Sequence, residues 1–268
     1  MTEAPSDDAP GALTGRRGNT LIITINRPEA RNAVNRAVSI GVGDALQQAQ
    51  DDPEVWAVVI TGAGDKSFCA GADLKALSRG ENIFHPDHPE WGFAGYVQHF
   101  IDKPVIAAVN GTALGGGTEL ALASDLVVAQ SSAQFGLPEV KRGLIAAAGG
   151  VFRIVEQLPR KVAMQLLVTG DPISAEEAAR WGLINQVVPD GTVLEAALAL
   201  ADRITVNAPL AVQASKRVAA GVDDGAITAE IASWKRSNRE MRAVFGSEDA
   251  REGPLAFAQK RAPVWKAR

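Results

Sequence analysis

The chain has one cysteine, Cys69, in 268 residues, so no intramolecular disulfide can form. That suits a reducing compartment, and a cytoplasmic protein is expected. A buried or loop thiol is the simpler reading of Cys69, ahead of a nucleophile. Three histidines in the whole chain give a histidine-built metal site little material. No apolar run approaches the ~18 residues that a membrane helix needs. Charge of one sign is also missing: 27 Lys plus Arg against 31 Asp plus Glu leave a net charge of -4. Without a basic run, nucleic acid is not an expected partner, and neither is a membrane. The first fifteen residues, MTEAPSDDAPGALTG, hold three acids and two prolines and no basic residue. They lack the charged and apolar regions of a secretory leader, and residues 1–15 are expected to be a disordered tail.

What is present is a large apolar complement, 46% of the residues, enough for an extensive core. NTLIITIN (19–26) is rich in β-branched residues and runs into Arg27-Pro28, a strand ending in a turn. Val38, Val42, Leu46 and Ala49 recur at helical spacing, predicting a helix over about 35–51, with Asn32 or Asn35 as its cap. WAVVIT (56–61), PVIAAVN (104–110), DLVVAQ (125–130) and LINQVV (183–188) are apolar runs of the kind found in strands covered on both faces. Helical stretches are expected between them, at about 93–102, 117–124 and 147–157. This alternation predicts an α/β fold with largely parallel pairing over residues 16–190. After about 191 only helical periodicity remains, so residues 191–268 are expected to form an all-helical part. Residues 76–96, interrupted by two prolines, read as a long functional loop.

Two stretches carry the chemistry. SFCAGADLK (67–75) places small residues at a turn before Asp73. NGTALGGGTELALASDLVVA (110–129) runs a strand into Gly115-Gly116-Gly117 and then a helix. Such a run lets a ligand approach the backbone, and the helix start offers unpaired N–H groups to negative charge. It also reads as a plain turn. It lacks the Lys-Ser/Thr of a P-loop, and Leu120 stands where a third dinucleotide-binding glycine would fall. Glu119 lies in the first turn of an almost wholly apolar helix. Either the helix dipole favours it there or it is a buried acid with a task. Glu139 follows FGLP (135–138) on a turn near the core, where an exposed loop acid is the alternative. Were the two to share a pocket, each would raise the other's proton affinity, giving an acid and a base near neutral pH.

FCAGADLK, AAVNGTALGGGTELALASDLVVA and AQFGLPEVKRGLIAAAGG together resemble the crotonase superfamily, and RPEARNAVN (27–35) and FAQKRAPVW (257–265) match its early segment and its C-terminal helix. The resemblance spans about residues 19–265. It implies a spiral of ββα turns with a helical C-terminal trimerisation part, and a homotrimer or a dimer of trimers. It implies an enoyl-CoA hydratase: Glu119 and Glu139 as catalytic carboxylates, and the backbone N–H groups of Ala70 and Gly116 as the oxyanion hole. Contacts to an acyl-CoA thioester are implied for Arg31, Ala70, Gly71, Ala72, Asp73, Leu74, Gly115, Gly116 and Lys260. No separate cofactor or metal is implied, because coenzyme A enters as part of the substrate. Keeping both glutamates sets the chain apart from branches that lack one, such as many isomerases and thioester hydrolases. LPEVKRGL, GGVFRI and RWGLINQVV also resemble the carnitinyl-CoA dehydratase (crotonobetainyl-CoA hydratase) branch, and Gly143–Gly150 departs from the G-x-x-P-G-x-G-G of many fatty-acid hydratases. Asp73 reads foremost as a helix-start acid, Asp125 as a buried hydrogen-bonding residue, and His85 and His88 as surface residues. Trp91, Phe93 and Tyr96 are candidates for the acyl pocket or for ordinary core. Lys260 and Arg261, expected on the last helix, either reach a CoA phosphate or line a solvated face.

Overall fold

The computed structural model describes residues 10–268; residues 1–9, most of the expected tail, lie outside the described residues. The first strand begins earlier than expected. β1 (Ala12–Arg17) pairs antiparallel with β2 (Thr20–Ile25) in a hairpin, so residues 12–15 are strand rather than tail. Four of its six side chains are exposed, so its apolar signal is weak, and the pairing with β2 creates it. Helix α1 (Arg36–Asp51) is capped by Asn35, whose side chain accepts from the Val38 N–H. Its buried face is Val38, Val42, Ala45, Leu46 and Ala49, at the helical spacing read from the sequence.

From there the chain repeats one move. A strand of a first sheet is followed by a short strand of a second, then a helix. β3 (Ala57–Gly62) leads to β4 (Ser67–Cys69) and α2 (Leu74–Ser78). β5 (Val105–Val109) leads to β6 (Thr112–Leu114) and α3 (Gly116–Ala123). β7 (Leu126–Gln130) leads to β8 (Gln134–Gly136), a 3₁₀ turn (Pro138–Arg142), α4 (Gly150–Gln157) and α5 (Arg160–Thr169). β9 (Ile173–Ser174), α6 (Ala175–Arg180) and β10 (Gln186–Val188) close the spiral. The first sheet runs β1-β2-β3-β5-β7-β10, parallel from β2 onward. The second runs β4-β6-β8-β9, parallel except for its last pair. β3 and β5 are buried on both faces, which is why their sequences are unbroken apolar runs.

The C-terminal part consists of α7 (Val193–Thr205), α8 (Pro209–Ala220), α9 (Ile231–Phe245) and α10 (Glu248–Ala258). It is not wholly helical. β11 (Val222–Asp223) and β12 (Ala226–Ile227) form a small hairpin between α8 and α9, turned by Asp224-Gly225 with both φ positive. α7 packs under β3, β5 and β7, with Val193, Ala197, Leu198 and Ala201 in a second hydrophobic cluster.

The helix expected over 93–102 is absent. Only Phe93–Gly95 makes a 3₁₀ turn, because Gly92, Ala94 and Gly95 all take positive φ. This stretch is held instead by ring stacking. Trp91 stacks on His88 and on His99, each 4.0 Å between ring centres, and His85 meets its edge. His85 is therefore buried rather than a surface residue; its Nε2 lies 3.1 Å from Asp44, while His88 is half-buried. Burial pushes His99 down to about 4.

Candidate active site

The site lies where β4 and β6 of the second sheet end beside the start of α3. Two buried asparagines shape its approach. Asn32 donates to the Ala63 and Ser67 carbonyls, and Asn110 bonds both the N–H and the carbonyl of Gly62. These fix the β3–β4 and β5–β6 corners. Asp73 caps α2 by accepting from Lys75 and Ala76 N–H, and pairs with Arg27 at 2.8 Å, so its carboxylate is held below the ordinary range against burial, which acts the other way. It is a structural acid. Asp125 likewise serves structure, accepting from Val105 N–H and Lys216.

The glycine run allows an uncommonly close approach of backbone to backbone. A Cβ on Gly117 would stand 2.0 Å from the Cys69 carbonyl oxygen, and one on Gly116 2.4 Å from the Phe93 ring. Gly71, at φ +89°, sits so that its own Cβ would lie 3.2 Å from the Gly116 nitrogen. The 70–72 turn and the first residue of α3 are therefore neighbours. Gly116 opens the helix, and its N–H has no intrahelical acceptor.

The partner of Gly116 differs from the expected one. The Ala70 N–H is already donated to the Arg31 carbonyl at 3.1 Å, so it is not a free oxyanion donor. Ala72 forms a parallel bridge with Val34 that uses the Gly71 carbonyl and the Asp73 N–H. The N–H of Ala72 itself faces away from that strand and has no partner among the described residues. Ala72 and Gly116 are thus neighbouring backbone donors without a partner among the described residues. The sequence could not show this, because a distant residue, Arg31, takes up the Ala70 group.

Glu119 is buried at 3% exposure. Its Oε1 accepts from the Gly150 N–H at 2.8 Å. Burial raises its proton affinity, and the nearby Glu139 carboxylate raises it further; the Gly150 and Ala148 N–H groups and Arg153 oppose this. Glu139 comes from the 3₁₀ turn after β8, and its Oε1 lies 2.8 Å from where a Cβ on Gly115 would be. Burial raises its proton affinity too. Its Oε2 is shielded and has no hydrogen-bond partner among the described residues. The two acids thus lie near the Gly115–Gly117 segment and close enough for Glu139 to act on Glu119, and each favours the protonated form more than a free glutamate. Cys69, beneath them, is raised to about 12 by burial and is no nucleophile.

Of the three aromatic candidates only Phe93 touches the glycine segment. Trp91 belongs to the histidine stack. Tyr96 bonds Ser124 and lines a separate cavity of about 390 Å³, together with Arg153, Lys216, Glu230 and Trp234. Arg31 is exposed beside a small cleft with Lys66, and Leu74 opens α2. Lys260 is exposed and lies past the end of α10, at φ +53°, not on the helix. Arg261 is tied to Glu252. Sequence reading missed Gly150 as the donor that holds Glu119, because glycine loops carry no side-chain signal.

The buried Glu119 makes folding stability depend on pH. In the window between its ordinary and its raised value, the folded chain keeps a proton that the unfolded chain releases. Folding stability therefore falls as pH rises through that window. Glu119→Gln is neutral at every pH and keeps an acceptor for Gly150. Its melting temperature is expected to gain on the wild type as the buffer is taken from acidic to alkaline. A constant difference across pH would show that Glu119 titrates normally.

The family model described as enoyl-CoA hydratase/isomerase matches residues 15–268. The chain belongs to the enoyl-CoA hydratase/isomerase family. Within it, the chain is 45% identical over 256 residues to a carnitinyl-CoA dehydratase from Salmonella typhi, covering 94% of this chain and 97% of that one. A crystal structure of carnitinyl-CoA hydratase from Mycobacterium avium is 75% identical, with TM-score 0.96, and covers 97% of this chain and 100% of that one. Enoyl-CoA hydratase from Mycobacterium tuberculosis H37Rv is 46% identical with TM-score 0.76, over 97% and 100% of the two chains. The crotonase spiral and its helical C-terminal part are those of the family, and the chain is an enzyme of the hydro-lyase kind. No helix among the described residues is long and apolar enough to cross a membrane.

Proposed function

We propose that the chain adds water reversibly across the 2,3 double bond of a 2-enoyl-CoA thioester, giving a 3-hydroxyacyl-CoA. The observation that carries this is a pair of neighbouring carboxylates, the buried Glu119 and the half-buried Glu139, both raised, beside the Gly115–Gly117 segment and its unpartnered backbone donors. Two such acids hold about one proton between them near neutral pH, so one is a base while the other is an acid. The thioester oxygen receives hydrogen bonds from Ala72 and Gly116 N–H. This draws the π electrons of C2=C3 toward an enolate and leaves C3 electrophilic. In the form with the shared proton on Glu139, the ionised Glu119 takes one proton from water as the water oxygen bonds to C3. Glu139 delivers a proton to C2, and the enolate returns to the thioester. The unpartnered Glu139 Oε2 suits this, since a shielded carboxyl oxygen without a partner is costly unless the reactants supply one. Removal of water is the same path reversed.

No separate cofactor or metal takes part in this scheme, because coenzyme A arrives with the acyl group. The main chain of residues 70–74 and the Gly115–Gly116 edge are the proposed cradle for the thioester, and the exposed Arg31 and Lys260 are available to CoA phosphates. Incubation with crotonyl-CoA should remove the enoyl absorbance. An unchanged spectrum would leave only acyl-CoA binding, and migration of a 3-enoyl double bond without water uptake would identify an isomerase instead. The names of two relatives favour a betaine-bearing acyl group within the same reaction. A panel of short, long, aromatic and betaine-bearing enoyl-CoAs separates the readings by kcat/KM.

We further propose a homotrimer, or two stacked trimers, working in the cytoplasm. Val206 and Leu210 at the α7–α8 corner and Val218 near the end of α8 are 80%, 77% and 83% exposed, apolar side chains that a single chain leaves uncovered. Mass measurement in solution should give a multiple of 28.1 kDa, and a lone monomer would refute the assembly.

A further inference from the structure

Helix α4 has two attachments one turn apart. Its first residue, Gly150, donates to Glu119. Its fourth, Arg153, is 5% exposed and reaches out to the C-terminal part. Arg153 Nε and Nη2 donate to the two Glu230 carboxylate oxygens, both at 2.7 Å, and Nη2 also donates to the Val97 carbonyl. Glu230 accepts a further bond from Trp234 Nε1 at 3.1 Å. The Trp234 ring and Arg153 Nη1 both lie 3.2 Å from where a Cβ on Gly149 would sit, so they press on the residue just before Gly150. Glu230 thus reaches the loop that holds Glu119 through one forked ion pair and one helical turn.

A buried ion pair of this kind contributes little net stability, since desolvation offsets the attraction. Its geometry is more telling. Without Glu230, the Arg153 guanidinium would stand uncompensated near Glu119 and favour the ionised, less basic carboxylate. The other groups facing Glu119 are Glu139 and Cys69, neither of them a cation. Those facing the ion pair are Tyr96 and Glu156 and, across the cavity, Lys235 and the Lys216–Asp125 pair.

We propose that Glu230 is a positioning residue for the reaction: it locks Arg153 so that α4 presents the Gly150 N–H to Glu119, and it offsets the guanidinium charge that would weaken Glu119 as a base. This rests on the hydratase reading above. The C-terminal helical part then helps to set the chemistry of the spiral core, by a residue that touches no substrate.

Glu230→Gln keeps the size of the side chain and one acceptor but removes the charge. The ascending limb of kcat/KM against pH is expected to move to lower pH by roughly half a unit to one unit, with KM little changed. Arg153→Met/Glu230→Met carries neither charge. It is expected to fold, since apolar replacement of a buried pair is often neutral or stabilising, and to place the limb at or above the wild-type position. A limb that stays in place in Glu230→Gln, or moves down in the double variant, would overturn the proposal. The infrared carbonyl band of protonated Glu119, assigned by its loss in Glu119→Gln, gives the same reading without turnover. A shifted band in Glu230→Gln with a wild type that hydrates no enoyl-CoA would defeat the hydratase reading and keep the coupling; an unshifted band would defeat the coupling itself.

Discussion

Glu139→Gln is expected to lower the hydration rate of a 2-enoyl-CoA by about 10²–10⁴-fold, the usual worth of general acid–base help. The amide is nearly isosteric, so the 3₁₀ turn and its approach to Gly115 should survive. It cannot cycle a proton to C2. Acyl-CoA affinity should change little, because the thioester is held by backbone donors and the CoA by groups elsewhere. Glu119→Gln should behave alike, and the double variant should lose little beyond either single one, as expected of two groups that act on one water. Turnover and acyl-CoA binding measured for the three variants decide the matter. Full activity in either single variant would mean that the glutamate concerned is misassigned.

The second large effect is expected from a methyl group. Gly117→Ala would drive its Cβ to within 2.0 Å of the Cys69 carbonyl oxygen and 2.9 Å of its carbon. Both are main-chain atoms of β4, so no side chain can rotate aside. Either α3 must retreat from β4 or the strand must shift. Overpacking costs about 1–3 kcal/mol in ordinary cores, and a clash of backbone against backbone belongs at the upper end. The same displacement separates Gly116 from the 70–72 turn. Losing one oxyanion donor is typically worth about 10²–10³ in kcat. Gly117→Ala is therefore expected to melt several degrees lower and to lose about two orders of magnitude in kcat while both glutamates remain. Wild-type stability with wild-type turnover would show that α3 and β4 have more freedom than their spacing implies.

The sequence by itself determined the alternating α/β architecture, and its resemblance to the crotonase superfamily pointed to the two acids. The apolar runs of β3, β5 and β7, the helical spacing of α1 and the glycines before α3 are local patterns, each set by the surface a residue must bury or by a backbone approach only glycine permits. Glu119 stands in an apolar helix and Glu139 after a proline turn, but local pattern alone leaves a structural role open for each, and the family motifs single them out. The tertiary structure alone decided which groups are left free for chemistry. Ala70 and Ala72 are alike in sequence, but Arg31 takes the N–H of one and the Val34 bridge turns that of the other outward. β1 exists because β2 offers it an edge, and residues 93–102 fail to form a helix because Ala94 and Gly95 take positive φ, in a stretch held by the stacking of Trp91 on His88 and His99. Arg153 and Glu230, 77 positions apart, look like ordinary surface charges until packing buries them together. Hydrogen-bond partners and burial depend on residues distant in the chain, and no local pattern of residues carries that information.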